Sequence, residues 1–235
     1  MSFIPDKNLF IVTSSLKSNI GFFNDEERYT QTLQSLESLR KVVPEAIIVF
    51  SDVSVRPVSE QEKRIINQYC NFYFDLSEEP NSRYCAVNGL KSHGENCLMF
   101  ATILTIKQNP QLSKILNETK RIFKFSARSE LDDNFDITQY DNLFGKYVFK
   151  KRIPTWTNNV VHGADHLFIT RMFSFCPSLL DSYLLVLQNN LNLLSNGVQD
   201  TEHAHFVNIP KEYLIEFETL GCWGWLAGNG QIEHY

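Results

Sequence analysis

The sequence predicts a mixed α/β domain: a mostly parallel central sheet with helices packed on both faces. Three observations carry that expectation. Short, uninterrupted apolar runs recur along the first two thirds of the chain, each the length of a strand buried on both faces. Longer segments between them repeat apolar residues at three- and four-residue spacing, the period of a helix resting on a core. No linker composition and no internal repeat divides the 235 residues, so a single domain over 1–235 is expected.

Taken in order, Asn8–Thr13 (NLFIVT) is the first strand. The connection that follows runs about eleven residues, longer than the roughly 2–6 usual between a strand and a helix, which marks a binding segment. Asp25–Val43 is a helix, with Tyr29, Leu33, Leu36, Leu39 and Val43 on one face and Asn24 as its N-cap. Pro44 ends it, and Ala46–Phe50 (AIIVF) is the second strand. A helix over Ser59 to about Tyr69 leads to a third strand, Asn71–Leu76. A third helix covers Glu95–Lys107, with Met99, Ile103 and Ile106 on its apolar face. Arg121–Phe125 is the fourth strand and Tyr147–Phe149 the fifth. Beyond these, Leu167–Phe175 (LFITRMFSF) reads as one strand, Ser178–Leu194 as an apolar helix and Thr201–Val207 as a short one. Leu220–Gly230 (LGCWGWLAGNG) reads as a Gly- and Trp-rich loop.

Charge excludes several functions. The formal net charge is −5, so a basic surface for nucleic acid or anionic lipid is not expected. No apolar run approaches the roughly 20 residues of a membrane span, and the first residues lack the basic start of a secretory signal. The five cysteines are odd in number and form no CxxC pair, which suits reduced thiols and a cytoplasmic protein.

In an open parallel sheet, ligands bind beyond the carboxyl ends of the strands. Thr13, Ser14 and Ser15 follow the first strand; Ser51, Asp52 and Ser54 the second; Ser126, Arg128 and Glu130 the fourth. None of these segments is a Gly-rich dinucleotide loop or a P-loop, so a dehydrogenase or a P-loop enzyme is disfavoured.

The order strand, loop, helix, strand, Asp-x-Ser, with IIVFSDVS at Ile47–Ser54, resembles the start of GT-A-fold glycosyltransferases, a Rossmann-related group. Together with RYTQTLQSLESLR (Arg28–Arg40), KSHGE (Lys91–Glu95) and IFKFSAR (Ile122–Arg128), it resembles viral and microbial glycosyltransferases of that fold that lack a standard Asp-x-Asp motif. The resemblance implies a nucleoside-diphosphate sugar donor and a glycan, protein or lipid acceptor. It makes about 1–126 the nucleotide-sugar half and about 127–235 the acceptor and catalytic half. It places Thr13 and Asp52 on the nucleoside, Arg28 on a phosphate, and Lys91 or Glu95 on the donor sugar. Three of these positions also have a purely structural reading: Asp52 as a turn cap, Arg28 as a solvated helix residue, and Glu95 as a helix-dipole acid in the first turn.

GT-A enzymes commonly carry an Asp-x-Asp for a divalent metal at the end of the fourth strand, where this chain has Ser126-Ala127-Arg128. Two remedies are open. Arg128, helped by Lys124, neutralises the leaving diphosphate without a metal; or the acidic run Glu130, Asp132, Asp133 and Asp136 supplies oxygen ligands to Mn²⁺ or Mg²⁺, with His203 completing the set. The first is the narrow preference, and a solvated turn is the bland account of the acidic run. For the base that takes the acceptor's proton, Glu202 in DTEHAHF is the first candidate and Asp165 in HGADH the second. Two rivals stand beside the transferase: a carbohydrate- or nucleotide-binding module of the same fold, and a metal-dependent hydrolase built on His162 and His166 or His203 and His205. Trp156, Trp223 and Trp225 form either an acceptor platform or a plug at the end of the core.

Overall fold

The computed structural model of the protein describes residues 7–155, 160–226 and 230–235. Its centre is a seven-stranded sheet. The strands and helices of the first half are β1 (Lys7–Ser14), α1 (Asp25–Val42), β2 (Ile47–Asp52), α2 (Glu60–Ile66), β3 (Phe72–Asp75), α3 (Pro80–Val87), α4 (Lys91–Gln108), α5 (Pro110–Asn117) and β4 (Thr119–Ser126). The rest are β5 (Ser129–Leu131), β6 (Tyr147–Lys150), β7 (Ile153–Pro154), β8 (His166–Leu167), β9 (Met172–Phe175), α6 (Leu180–Ser195), α7 (Thr201–Asn208), β10 (Leu214–Phe217), β11 (Cys222–Trp225) and β12 (Ile232–His234).

The large sheet has the order β10-β6-β9-β4-β1-β2-β3. Every pairing in it is parallel except those of β9, which runs antiparallel to both β4 and β6. One sheet therefore joins strands from both halves of the chain. Successive side chains of β1 go to opposite faces, and both faces are buried: Phe10 and Val12 pack in the layer under α1, Leu9 and Ile11 in the layer under α4 and α6. That two-sided burial is why the strand reads as an uninterrupted apolar run. Phe10 stacks on Phe123 of the neighbouring β4 at 4.5 Å.

The helix starts follow from local chemistry. Asn24 and Glu27 form a reciprocal capping box on α1, and Ser59 and Glu62 do the same on α2. Four expectations need correcting. Helices α3 and α5, each opened by a proline in its first turn, went unread, and α4 begins at Lys91 rather than Glu95. The run Leu167–Phe175 is not one strand: it breaks after Leu167 and resumes at Met172. The stretch Leu220–Gly230 is not simply a loop, because β11 pairs with β5 and β12 in a second, three-stranded sheet. Gly224 makes that pairing possible, since a Cβ there would meet Ser129 Oγ at 2.7 Å and the Arg128 carbonyl at 2.8 Å. No helix among the described residues is long and apolar enough to cross a membrane.

Candidate functional site

At the carboxyl edge of the sheet, beyond β1 and β4, lies a cavity of about 280 Å³. The strands position its floor: β1 delivers Thr13 and the serines after it, and β4 with the turn beyond delivers Lys124, Ser126 and Arg128. One wall is the start of α4, with Lys91 and Glu95. The chain turns into this helix at Asn88 and Gly89, and Leu90 at the N-cap makes no side-chain cap, so the first turn of an 18-residue helix meets the cavity without one. Arg28 of α1, Glu202 of α7 and the pair Thr170–Arg171 complete the polar lining, while Val53, Leu90 and Leu98 supply an apolar side. Of the residues singled out by sequence, Thr13, Arg28, Lys91, Glu95, Lys124, Ser126, Arg128 and Glu202 line this one cavity.

Its carboxylates differ sharply. Lys124, only 3% exposed, donates to Glu95 Oε1 at 2.7 Å and to the Thr170 carbonyl at 2.6 Å. Burial opposes ionisation of Glu95, but the charge and hydrogen bond of Lys124 outweigh it and hold the group below the usual carboxylate range. Glu202 has no such cation. Burial, and then the negative charge of Glu95, push its carboxyl above that range. The hydroxyl of Thr170 lies 3.2 Å from Glu202 Oε1 and 3.3 Å from Glu95 Oε1, as a donor shared between the two.

The cations are equally uneven. Arg28 is buried and spends its donors on the loop that follows β1: Nε on the Phe23 carbonyl at 3.1 Å, Nη1 on that of Ser15 at 3.2 Å, and Nη2 on that of Ile20. Arg28 therefore braces the long loop as well as facing the cavity. Arg128 has a buried Nη1 with no hydrogen-bond partner. Burial, and then repulsion from Arg171 and Arg28, lower its pKa to about 9. Once Lys124 and Glu95 are set aside as a neutral pair, Arg28, Arg128, Arg171 and Lys91 face one carboxylate, Glu202. In a protein of net charge −5 this is a local surplus of positive charge.

The other candidates lie elsewhere. Asp52 is fully buried and does not line the cavity; its carboxylate accepts from Leu16 N at 2.9 Å and Ser54 Oγ at 2.6 Å, pinning the loop after β1 to β2. Asp165 is exposed beside His166 Nδ1, 3.0 Å away, and does not line the cavity either. Asp132 accepts from Asn134 N in the turn after β5, and Asp133 is exposed. His203 is buried in α7's first turn and does not line the cavity; its Nδ1 is 2.6 Å from Asp200 and its Nε2 2.8 Å from Thr155 Oγ1. His205 Nδ1 meets the Thr201 carbonyl at 2.8 Å, so its Nε2 is left to accept from Tyr183, 3.1 Å away. Among the described residues, no group of three or more His, Cys, Asp and Glu converges as a metal would require, so Asp132, Asp133 and His203 form no donor set. The turn where the related metal acids would stand instead holds the unpartnered guanidinium of Arg128, which repels a second cation. The residues present do not fit Mn²⁺ or Mg²⁺ at that place.

Trp223 and Trp225 meet edge to face at 4.7 Å in β11, and Trp225 borders a separate open groove with Phe23. Trp156 lies outside the described residues. Thr170 and Arg171 escaped the sequence reading. Their signal was present: a polar pair interrupting the apolar run LFITRMFSF, where the strand breaks and turns both residues to the cavity.

No protein-family model matches the sequence, and no curated protein matches it. Solved structures do resemble the fold. The galactosyltransferase LgtC, crystallised with donor and acceptor sugar analogues, superposes with a TM-score of 0.50 at 8% identity, covering 88% of this chain and 72% of LgtC. A glycosyltransferase involved in glycosylating the major capsid of the virus PBCV-1 gives 0.47 at 9% identity, over 91% and 82% of the two chains. Mouse xyloside xylosyltransferase 1 gives 0.49 at 10% identity, over 91% and 85%. The chain has the fold of GT-A glycosyltransferases.

Proposed function

We propose that this GT-A-fold protein is a glycosyltransferase, moving a sugar from a nucleoside-diphosphate donor to an acceptor hydroxyl. The observation that carries the reading is the pairing, in one cavity at the carboxyl edge of the sheet, of surplus cationic charge with a carboxyl of raised pKa. Glycosyl transfer needs both. The departing nucleoside diphosphate takes the electron pair of the anomeric C–O bond, and positive charge nearby lowers the cost of that developing anion. The acceptor oxygen forms the new bond to the anomeric carbon and loses its proton to a base. A carboxylate whose pKa is raised towards neutrality accepts a proton better than an ordinary one.

Glu202 is assigned as that base, held by the hydroxyl of Thr170 in the first turn of α7. Of Lys91 and Glu95, Glu95 is the one assigned to the donor sugar, and Thr13 and Ser126 approach the nucleotide at the strand ends. Arg28 keeps the loop after β1 folded against it. LgtC, a protein of this fold, holds donor and acceptor sugar analogues. A metal-dependent hydrolase has no ligand set among the described residues to support it. A binding module would have no use for a raised carboxyl beside Thr170.

The reading is tested by incubating the protein with UDP-, GDP- and dTDP-sugars and following nucleoside-diphosphate release, with and without candidate acceptors. At least one donor is expected to turn over. Glu202→Gln is expected to retain donor affinity while losing transfer by a factor of about 10²–10⁴. Unchanged turnover in that variant would move the base away from Glu202, and no release from any donor would leave only a binding role.

A further inference from the structure

We infer that Arg128, Arg171 and the start of α4 with Lys91 hold the donor's diphosphate directly, so that donor binding needs no divalent cation. This rests on the transferase reading for the identity of the ligand, but the anion site stands on the geometry alone.

A buried N–H without a partner costs roughly 1–3 kcal/mol, and folded proteins rarely tolerate one without a reason. Arg128 Nη1 is such a group, in a turn that also lines the cavity. Arg171 lines the same space, close enough for its charge to lower the proton affinity of Arg128. Like charges gathered in a partly dry cavity are stabilised when an anion enters between them. Guanidinium groups match phosphate oxygens with paired, charge-assisted donors. The uncapped first turn of α4 adds backbone dipoles of the same sign, with Lys91 at its first position.

Two neighbours that looked available are not. Lys124, the expected helper of Arg128, is held by Glu95 and the Thr170 carbonyl. Arg28 is held by the carbonyls of the loop after β1. The carboxylates cannot serve a metal at the same place: Glu95 is neutralised by Lys124, and Glu202 lies under a pressure to stay protonated. The ligand complementary to what remains is a compact polyanion. The diphosphate therefore lies against Arg128, Arg171 and α4, with the glycosyl group between it and Glu202.

The test is calorimetric titration of the full chain with inorganic pyrophosphate, UDP and GDP, each in EDTA and in Mn²⁺. Binding is expected in EDTA, equal within about twofold to that in Mn²⁺, and weakening as salt is raised. Arg128→Gln and Arg171→Gln are each expected to weaken pyrophosphate binding by about tenfold or more, with a melting temperature no lower than that of the parent. Arg128→Lys, which keeps the charge but loses the paired donors, is expected to fall between. Binding that appears only with Mn²⁺, affinities untouched by both glutamine variants, or no binding of any of the three ligands overturns the inference. The two readings fail separately. Pyrophosphate binding in EDTA without any sugar turnover keeps the anion site and removes the transferase, whereas sugar transfer that requires Mn²⁺ does the reverse.

Discussion

An arginine near the amino end of β4 and another just past its carboxyl end lead opposite lives. Arg121, near the amino end, is 2% exposed and satisfied: Nε donates to Ser174 Oγ at 2.7 Å, while Nη1 and Nη2 each reach a carbonyl at 3.0 Å, those of Leu143 and Lys146. Its guanidinium also lies over the Tyr140 ring. Arg128, just past the carboxyl end, has a buried Nη1 that bonds nothing. Burial lowers both pKa values, to about 10 and about 9. Perturbed proton affinity thus fails to separate them, and hydrogen-bond satisfaction does. At the amino edge the guanidinium ties β9 and the segment before β6 to β4. At the carboxyl edge the same chemistry is left open towards a cavity.

The contrast breaks most visibly at Arg121. Arg121→Ala strands the Leu143 and Lys146 carbonyls and the Ser174 hydroxyl in the interior, an expected loss of about 4 kcal/mol of stability. Chemical denaturation measures it, and pyrophosphate affinity per folded molecule should not change. A loss below about 1 kcal/mol would show that the amino-edge arginine is no more structural than its counterpart. Lys124, between the two in sequence, is expected to come next. Lys124→Met leaves the half-buried Glu95 without its cation, for a loss of about 3 kcal/mol at pH 7. The sign with pH follows from Glu95. Its folded pKa is depressed, so the stability it contributes is present above the unfolded value of about 4.3 and is lost as pH falls through the folded value. In the variant, protonation relieves the stranded carboxylate. The stability gap between parent and variant should therefore narrow as pH falls below about 4, and a gap constant from pH 7 to 3.5 would mean that the loss is one of packing.

The same line divides what was legible in the sequence from what was not. The strands at Asn8–Thr13 and Ala46–Phe50 were readable because both faces are buried, which imposes an apolar run. The N-cap at Asn24 was readable because capping chemistry is local. Arg128 was a visible candidate because it follows a strand in an open sheet. Whether its donors were free was not visible, since that depends on partners far along the chain: Lys124 meets Glu95 and Thr170, 29 and 46 residues away. Asp52 was equally undecided: an acid at the end of a strand reads as a ligand or as a cap, and only the fold shows its oxygens accepting from Leu16 and Ser54. Thr170 and Arg171 were hidden by their setting, because a break between β8 and β9 leaves no period in a nine-residue apolar run. The β11 strand was hidden for a different reason: Gly224, ordinarily a mark of a loop, is there to let two strands approach.

The smallest expected effect is the sharpest probe of the carboxyl edge, because it asks whether one hydroxyl sets the proton affinity of the assigned base. A base acts in its ionised form, so transfer should fall as pH drops through the pKa of Glu202, which burial and Glu95 have raised. Thr170 Oγ1 donates towards Glu202, a contact that favours the ionised form. Thr170→Val removes it, so the pKa should rise further and the acid limb of the rate profile should move to higher pH. A net hydrogen bond is worth about 1 kcal/mol and one pH unit about 1.4 kcal/mol, so a donor shared with Glu95 should give a shift of about half a unit. The plateau rate at high pH should hardly change, because the carboxylate is then ionised in both proteins. A limb that stays in place would assign the Thr170 proton to Glu95 instead. A limb that moves to lower pH would mean that Thr170 had been stabilising the protonated acid, and Glu202 would then enter the reaction as a proton donor.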